Sequence, residues 1–202
     1  MGVGELLPIF GSKTKVQEIL CLLYDAKDVV RQGFYSSELQ KVKEFCSANK
    51  LFIVESPFKV VLADGNRFSN KGIRLDLDNP RLGMVFVYIS KDEIKAHEGL
   101  LYETLHDDQR LGLLLGYPSC CVEYFISHFS AANPNPQIVS SNPFTNISQR
   151  EQDCVLISHF PCSADCQESI ALGKKYLEIL KNVDQDRAKE IFDVLQESSF
   201  IH

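Results

Sequence analysis

The sequence predicts an α+β protein, with a small antiparallel sheet and N-terminal helices packed on a helical C-terminal region. Three observations predict it. Apolar residues recur at helical spacing near both ends of the chain. Between residues 51 and 89 the spacing shortens into β-rich runs divided by turn residues. At 202 residues and 45% hydrophobic content, the chain is long enough to bury a core without disulfides or metal. The expected organisation is a helix–sheet region over residues 1–105 and a helical region over 106–202, or one integrated domain of both.

The first helix is expected from Thr14 to Gln32, where Val16, Ile19, Leu20, Leu23, Ala26 and Val30 share a face and Gly33 is a stop. Ser37 can cap a second helix, with Gln40 in capping-box position and Leu39, Val42, Phe45 and Cys46 on its apolar face. Cys21 and Cys46 read as small buried hydrophobes. Leu51 to Glu55 and Phe58 to Ala63 read as strand runs split by Ser56-Pro57, with turn chemistry at Asp64-Gly65-Asn66. Ile73 to Leu77 and Met84 to Ile89 complete a sheet of about four strands. Ser90 is the expected cap of the next helix, with Glu93 three residues on.

From His106 the chain becomes helical. An apolar segment ends at Gly116, Tyr117-Pro118 breaks it, and Ser119 to Phe129 starts anew. Ala131 to Gln149 is rich in Asn, Pro and Ser, and a loop of that length is either functional or disordered. Cys154 to Phe160 is an apolar run, strand or extended. Ser163 to Leu180 and Asp186 to Gln196 close the chain as helices.

The formal charge is −6, and no long basic run is present, which argues against duplex nucleic acid as a partner. No stretch approaches the roughly 18 apolar residues of a membrane span. Met1 to Lys13 lacks the pattern of a secretory signal, so a cytoplasmic protein is expected. Seven cysteines are an odd number in a chain too large for a disulfide scaffold. In a reducing compartment that favours metal binding, catalysis or free thiols.

Four of the seven fall in two tight motifs, Gly116-Tyr117-Pro118-Ser119-Cys120-Cys121 and His159-Phe160-Pro161-Cys162-Ser163-Ala164-Asp165-Cys166. Both are expected at helix starts, where unpaired N–H groups and the helix dipole favour thiolate. Cys162 and Cys166, four apart, would share a helical face, with Ser163 or Asp165 as cap. If the two helix starts face each other, four sulfurs converge. Zinc, an iron–sulfur cluster, a metal-free thiol active site and a disulfide staple all fit this donor set. His159 can replace one sulfur on zinc. Cys154 reads as core.

Other residues carry weaker signals. His106 with Glu103, Asp107 and Asp108 is an acid–base or hard-metal site, or a solvated helix end capped by Asp107 or Asp108. Glu123 is a base, a ligand or a first-turn acid, and His128 is a satisfied helical histidine. Tyr117 can wall the site. Arg110 and Arg150 can bind an anion.

The run Leu111-Gly112-x-Leu114-Leu115-Gly116-Tyr117-Pro118-x-Cys120-Cys121-Val122-Glu123-x-Phe125, followed by His159-x-Pro161-Cys162-x-x-x-Cys166-x-x-Ser169, resembles a prokaryotic family prominent in archaea, domain of unknown function 483. The resemblance covers about His106 to Lys181. It implies no activity, cofactor or catalytic residue, but it supports the choice of the four cysteines. The leading expectation is a metal- or cluster-binding protein with Cys120, Cys121, Cys162 and Cys166 as ligands and His159 as substitute. The alternatives are a metal-free thiol enzyme, with a nucleophile or redox pair and His159 as base, and a binding module stapled by disulfides.

Overall fold

A computed structural model describes residues 1–62, 72–130 and 132–199. Asp64-Gly65-Asn66 lies outside them. The fold is α+β, with eight α-helices and a four-stranded antiparallel sheet among the described residues. The chain forms two compact units. One comprises 1–26, 117–128 and 136–202, and the other 27–116 and 129–135.

The second unit holds the sheet: β1 (Val29–Phe34), β2 (Phe52–Leu62), β3 (Gly72–Asp76) and β4 (Met84–Ser90), in the order β1-β4-β2-β3. β1 occupies part of the helix expected over Thr14 to Gln32. That helix stops at Leu23, because Asp25 turns left-handed (φ 57°). Val29 and Val30 then pair with Ser90 and Ile89 of β4. Helical spacing at Ala26 and Val30 was coincidental, and β-branching decided the outcome.

The runs on either side of Ser56-Pro57 form one strand. Its register against β4 shifts between Glu55 and Lys59. Pro57 has no N–H to give the ladder, and the buried Ser56 side chain fills in. Its Oγ accepts from the Phe86 N–H (3.0 Å) and donates to the Phe58 carbonyl (2.6 Å).

α3 (Ser36–Ala48) and α4 (Glu93–Thr104) pack on the sheet. Both begin at caps other than those expected. Glu38 accepts from the Tyr35 N–H to start α3, and Asp92, not Ser90, accepts from Ile94 and Lys95 to start α4. Ser90 instead braces that turn, donating to the Asp28 carbonyl and accepting from the Asp92 N–H. α4 lies close because Gly99 faces the buried Tyr88 ring; a Cβ there would sit 2.7 Å from Tyr88 Cδ1. α5 (Asp108–Leu114) follows, and Gly116, left-handed at φ 78°, turns the chain just past its C-cap Leu115.

The first unit is helical: α1 (Val3–Phe10), α2 (Lys13–Leu23), α6 (Ser119–His128), α7 (Gln167–Val183) and α8 (Gln185–Ser199). Two aspartates far along the chain cap its N-terminal helices. Asp153 accepts from Ser12 Oγ and the Lys13 and Thr14 N–H groups at the start of α2. Asp184 accepts from the Val3 N–H of α1 and the Arg187 N–H of α8. Cys21, Ile147, Val155, Ile157, Phe160 and Tyr176 form one buried cluster. The run from Cys154 to Phe160 is therefore buried, but it joins no sheet ladder.

Candidate metal centre

The two cysteine motifs meet. Among the described residues, the sulfurs of Cys120, Cys121, Cys162 and Cys166 all lie within 4.8 Å of one another. Cys121 Sγ is 3.9 Å from Cys120 Sγ and 3.6 Å from Cys166 Sγ, and Cys120 Sγ is 3.7 Å from Cys166 Sγ. These are non-bonded separations, well beyond a disulfide bond of about 2.05 Å. Four thiols this close are suited to holding a metal ion.

Local sequence explains how each thiol arrives. Gly116 turns the chain out of α5, and Pro118, buried, accepts at its carbonyl from the Cys121 and Val122 N–H groups. That starts α6 and puts Cys120 and Cys121 in its first turn, as expected. The second motif differs from expectation. α7 begins at Gln167 with Cys166 as its N-cap, so neither Ser163 nor Asp165 caps it. Cys162 lies outside the helix, and a shared helical face does not pair it with Cys166. A turn does so instead, closed by the Cys166 N–H to the Ser163 carbonyl at 3.3 Å. Phe160 anchors the approach, stacked on Phe125 (5.6 Å between ring centres) with the Arg150 guanidinium 4.8 Å over its ring.

The long Asn/Pro/Ser segment supports this turn. Thr145, fully buried, donates to the Ala164 carbonyl between the two cysteines (2.7 Å) and contacts Ser140 Oγ (2.7 Å). Asn142 accepts from the Phe144 N–H. The segment has no periodicity because its order comes from side-chain-to-backbone turns, which leave Ser, Thr and Asn as their only signal.

His159 is buried and is not one of the converging group. Its Nε2 lies 2.8 Å from Ser169 Oγ, which lies 3.2 Å from Cys121 Sγ. Its ring is 5.1 Å from that of Tyr117, which walls this side. In the sequence, Ser169 stands out only as part of the family motif. It is a residue without charge or metal affinity, marked only by its place three residues after Cys166.

The electrostatics of Cys120, Cys121 and Cys166 are unequal. Burial pushes the Cys120 thiol up, to about 11, and raises Cys121 as well. Burial also pushes Cys166 up, but the Ser169 hydroxyl, its backbone N–H and the neighbouring thiols outweigh it and hold Cys166 below the ordinary value. A cation among the sulfurs would reverse the balance for the raised pair, because a coordinating thiol is deprotonated outright.

The other candidates fall elsewhere. Asp107 caps α5 through the Arg110 N–H (2.9 Å), and His106 is left-handed beside it (φ 55°), which is the helix-end arrangement. Glu123 is exposed, and His128 bonds the Tyr124 carbonyl (2.8 Å) and stacks on that ring. Cys21, Cys46 and Cys154 are buried, and burial pushes Cys46 up to about 12. No helix among the described residues is long and apolar enough to cross a membrane.

Comparison with known proteins places the chain in a family. The family described as "Protein of unknown function (DUF483)" matches residues 87–197, just over half of the sequence, and the chain belongs to it. The match contains both cysteine motifs and reaches back through α4 into β4. No curated protein and no solved structure matches.

Proposed function

We propose that the protein binds one zinc ion through Cys120, Cys121, Cys162 and Cys166, in a closed tetrahedral site that ties α6 to the turn before α7. The separation of the sulfurs carries this reading. Four thiolates around one zinc at the usual metal–sulfur distance of about 2.3 Å stand about 3.8 Å apart. The Cys120, Cys121 and Cys166 sulfurs stand 3.6, 3.7 and 3.9 Å apart, and with Cys162 all four lie within 4.8 Å of one another. A [4Fe–4S] cluster binds each cysteine to a different iron and a [2Fe–2S] cluster binds two to each of its irons, so either spreads the four cysteines further than one ion does. The compact set of sulfurs favours a single ion.

Four protein ligands leave no open position for water or substrate. The site is therefore structural rather than hydrolytic. His159 then serves as a partner of the ligand shell, as metal sites commonly require. The net charge of −6 still argues against duplex nucleic acid as a partner.

The test is metal content with an absorption spectrum, on protein purified without air or chelator. One zinc per chain, colourless, and lost in Cys162→Ser is the expected result. Several irons per chain with a broad brown band would overturn the single-ion reading. Protein that carries no metal and takes none up on reconstitution would overturn metal binding altogether. That last result would favour the thiol-enzyme reading, which the lowered Cys166 thiol beside Cys121 supports.

A further inference from the structure

The four sulfurs form two unlike edges. Cys121 and Cys166 are buried, whereas Cys120 and Cys162 are half-buried. Cys121 is also the better served by hydrogen-bond donors. The Cys162 backbone N–H donates to its sulfur (3.4 Å), and Ser169 Oγ lies 3.2 Å away.

Proton counting sets the direction of the Ser169 contact. A metal-bound thiolate can only accept, so the single Ser169 proton turns toward the sulfurs, with Cys121 Sγ 3.2 Å away. The Ser169 oxygen must then accept from His159 Nε2, 2.8 Å away, which fixes the histidine tautomer with its proton on Nε2. Ser169 and His159 are both buried, so this relay is shielded from water. Among the described residues, the Cys120 sulfur has hydrogen-bond contacts only with other thiols.

Hydrogen bonds draw charge from a thiolate and reduce its nucleophilicity, and exposure decides which sulfur an electrophile reaches. We infer that the Cys120–Cys162 edge is the reactive edge of the centre, where a metal-bound thiolate accepts alkyl groups from soft electrophiles, and that Ser169 and His159 hold Cys121 unreactive. This rests on the zinc reading above. In the step, a sulfur lone pair of Cys120 or Cys162 attacks the electrophilic carbon. A C–S bond forms, the bond from carbon to its leaving group breaks, and the leaving group departs with the electron pair. No proton moves and nothing is oxidised.

The experiment treats zinc-loaded protein with limiting iodoacetamide. It maps the carbamidomethyl groups by peptide mass spectrometry and counts zinc in an untreated portion. The expected first label falls on Cys120 or Cys162, about tenfold ahead of Cys121 and Cys166. Even labelling of all four in zinc-containing protein, or a first label on Cys121 or Cys166, overturns the inference and leaves zinc binding intact. An untreated portion without zinc overturns zinc binding, and the inference with it. The wild-type map needs no variant to fold. As a second readout, Ser169→Ala that retains zinc should raise labelling of Cys121 several-fold and leave Cys120 unchanged. Unchanged Cys121 labelling in that variant would count against the shielding role.

Discussion

Single residues separate a candidate ligand from core. Cys154 is buried like Cys121, but its neighbour is the Arg187 guanidinium rather than a second thiol. On the proposed zinc reading, Cys154→Ser should therefore leave metal content unchanged and lower stability by roughly 1 kcal/mol, since it buries a hydroxyl in place of a weak donor. Cys166→Ser should abolish metal binding. Metal analysis of the two variants side by side checks both. Glu103 poses a different question. It is 6% exposed and ion-paired to Arg31 (2.5 Å) and Arg74 (2.5 Å), each about one-third exposed. Burial raises its pKa, but the two guanidiniums prevail and hold the carboxyl below its ordinary value of 4.5. A lowered folded value means that this stabilisation is complete above pH 4.5. It is lost as the pH falls through the folded value. Glu103→Gln should cost roughly 2–3 kcal/mol near pH 7, less than a fully buried pair because the arginines see water. The gap between variant and wild type should narrow on acidification below pH 4, read by denaturant unfolding at several pH values. A gap that does not change with pH would show that the ion pairs do not set it.

At the scale of elements, caps and close contacts decide where helices start and how near they lie. Asp153 serves α2 from 140 residues away in sequence. Asp153→Ala should cost about 1–2 kcal/mol as a lost cap. It also forces alanine into a left-handed backbone (φ 59°), a conformation Asn tolerates. Asp153→Asn should recover part of the loss, and thermal unfolding of the two variants measures how much. Gly99→Ala places a methyl against Tyr88, whose ring is fully buried and cannot swing away. We expect a loss of roughly 1–3 kcal/mol from overpacking, checked by the same unfolding series. Element reading from sequence succeeded where period and composition agreed, as in α3, α6, α8 and the runs at β3 and β4. It failed from Val29 to Gln32, where Val30 fits a helical period by chance and the chain is held as strand by pairing with β4. It missed the start of α7 because Ser163 and Asp165 look like caps, while the turn at Cys162–Cys166 depends on Thr145.

For the whole molecule, the proposed zinc site lies within one unit, so removal of the metal should be a local event. The four cysteines and their supports, Thr145, His159 and Ser169, all belong to the helical unit. Removing zinc should increase amide exchange in the first turn of α6 and the first turns of α7, and leave β1 to β4 protected. Hydrogen-exchange mass spectrometry with and without chelator tests this. Exchange that rises equally in the sheet would mean that the metal stabilises both units as one. The chain by itself determined the α+β class, the antiparallel sheet and the two cysteine motifs, because periodicity, β-branching and short-range spacing are local properties of sequence. Only the tertiary structure decided that sulfurs more than 40 residues apart converge, that His159 stands behind Ser169, and that Asp153 and Asp184 cap helices at the opposite end of the chain. Those outcomes depend on which surfaces pack together. Packing of that kind is set by burial of residues such as Cys21, Ile147 and Tyr176 in one core, and no local pattern encodes it.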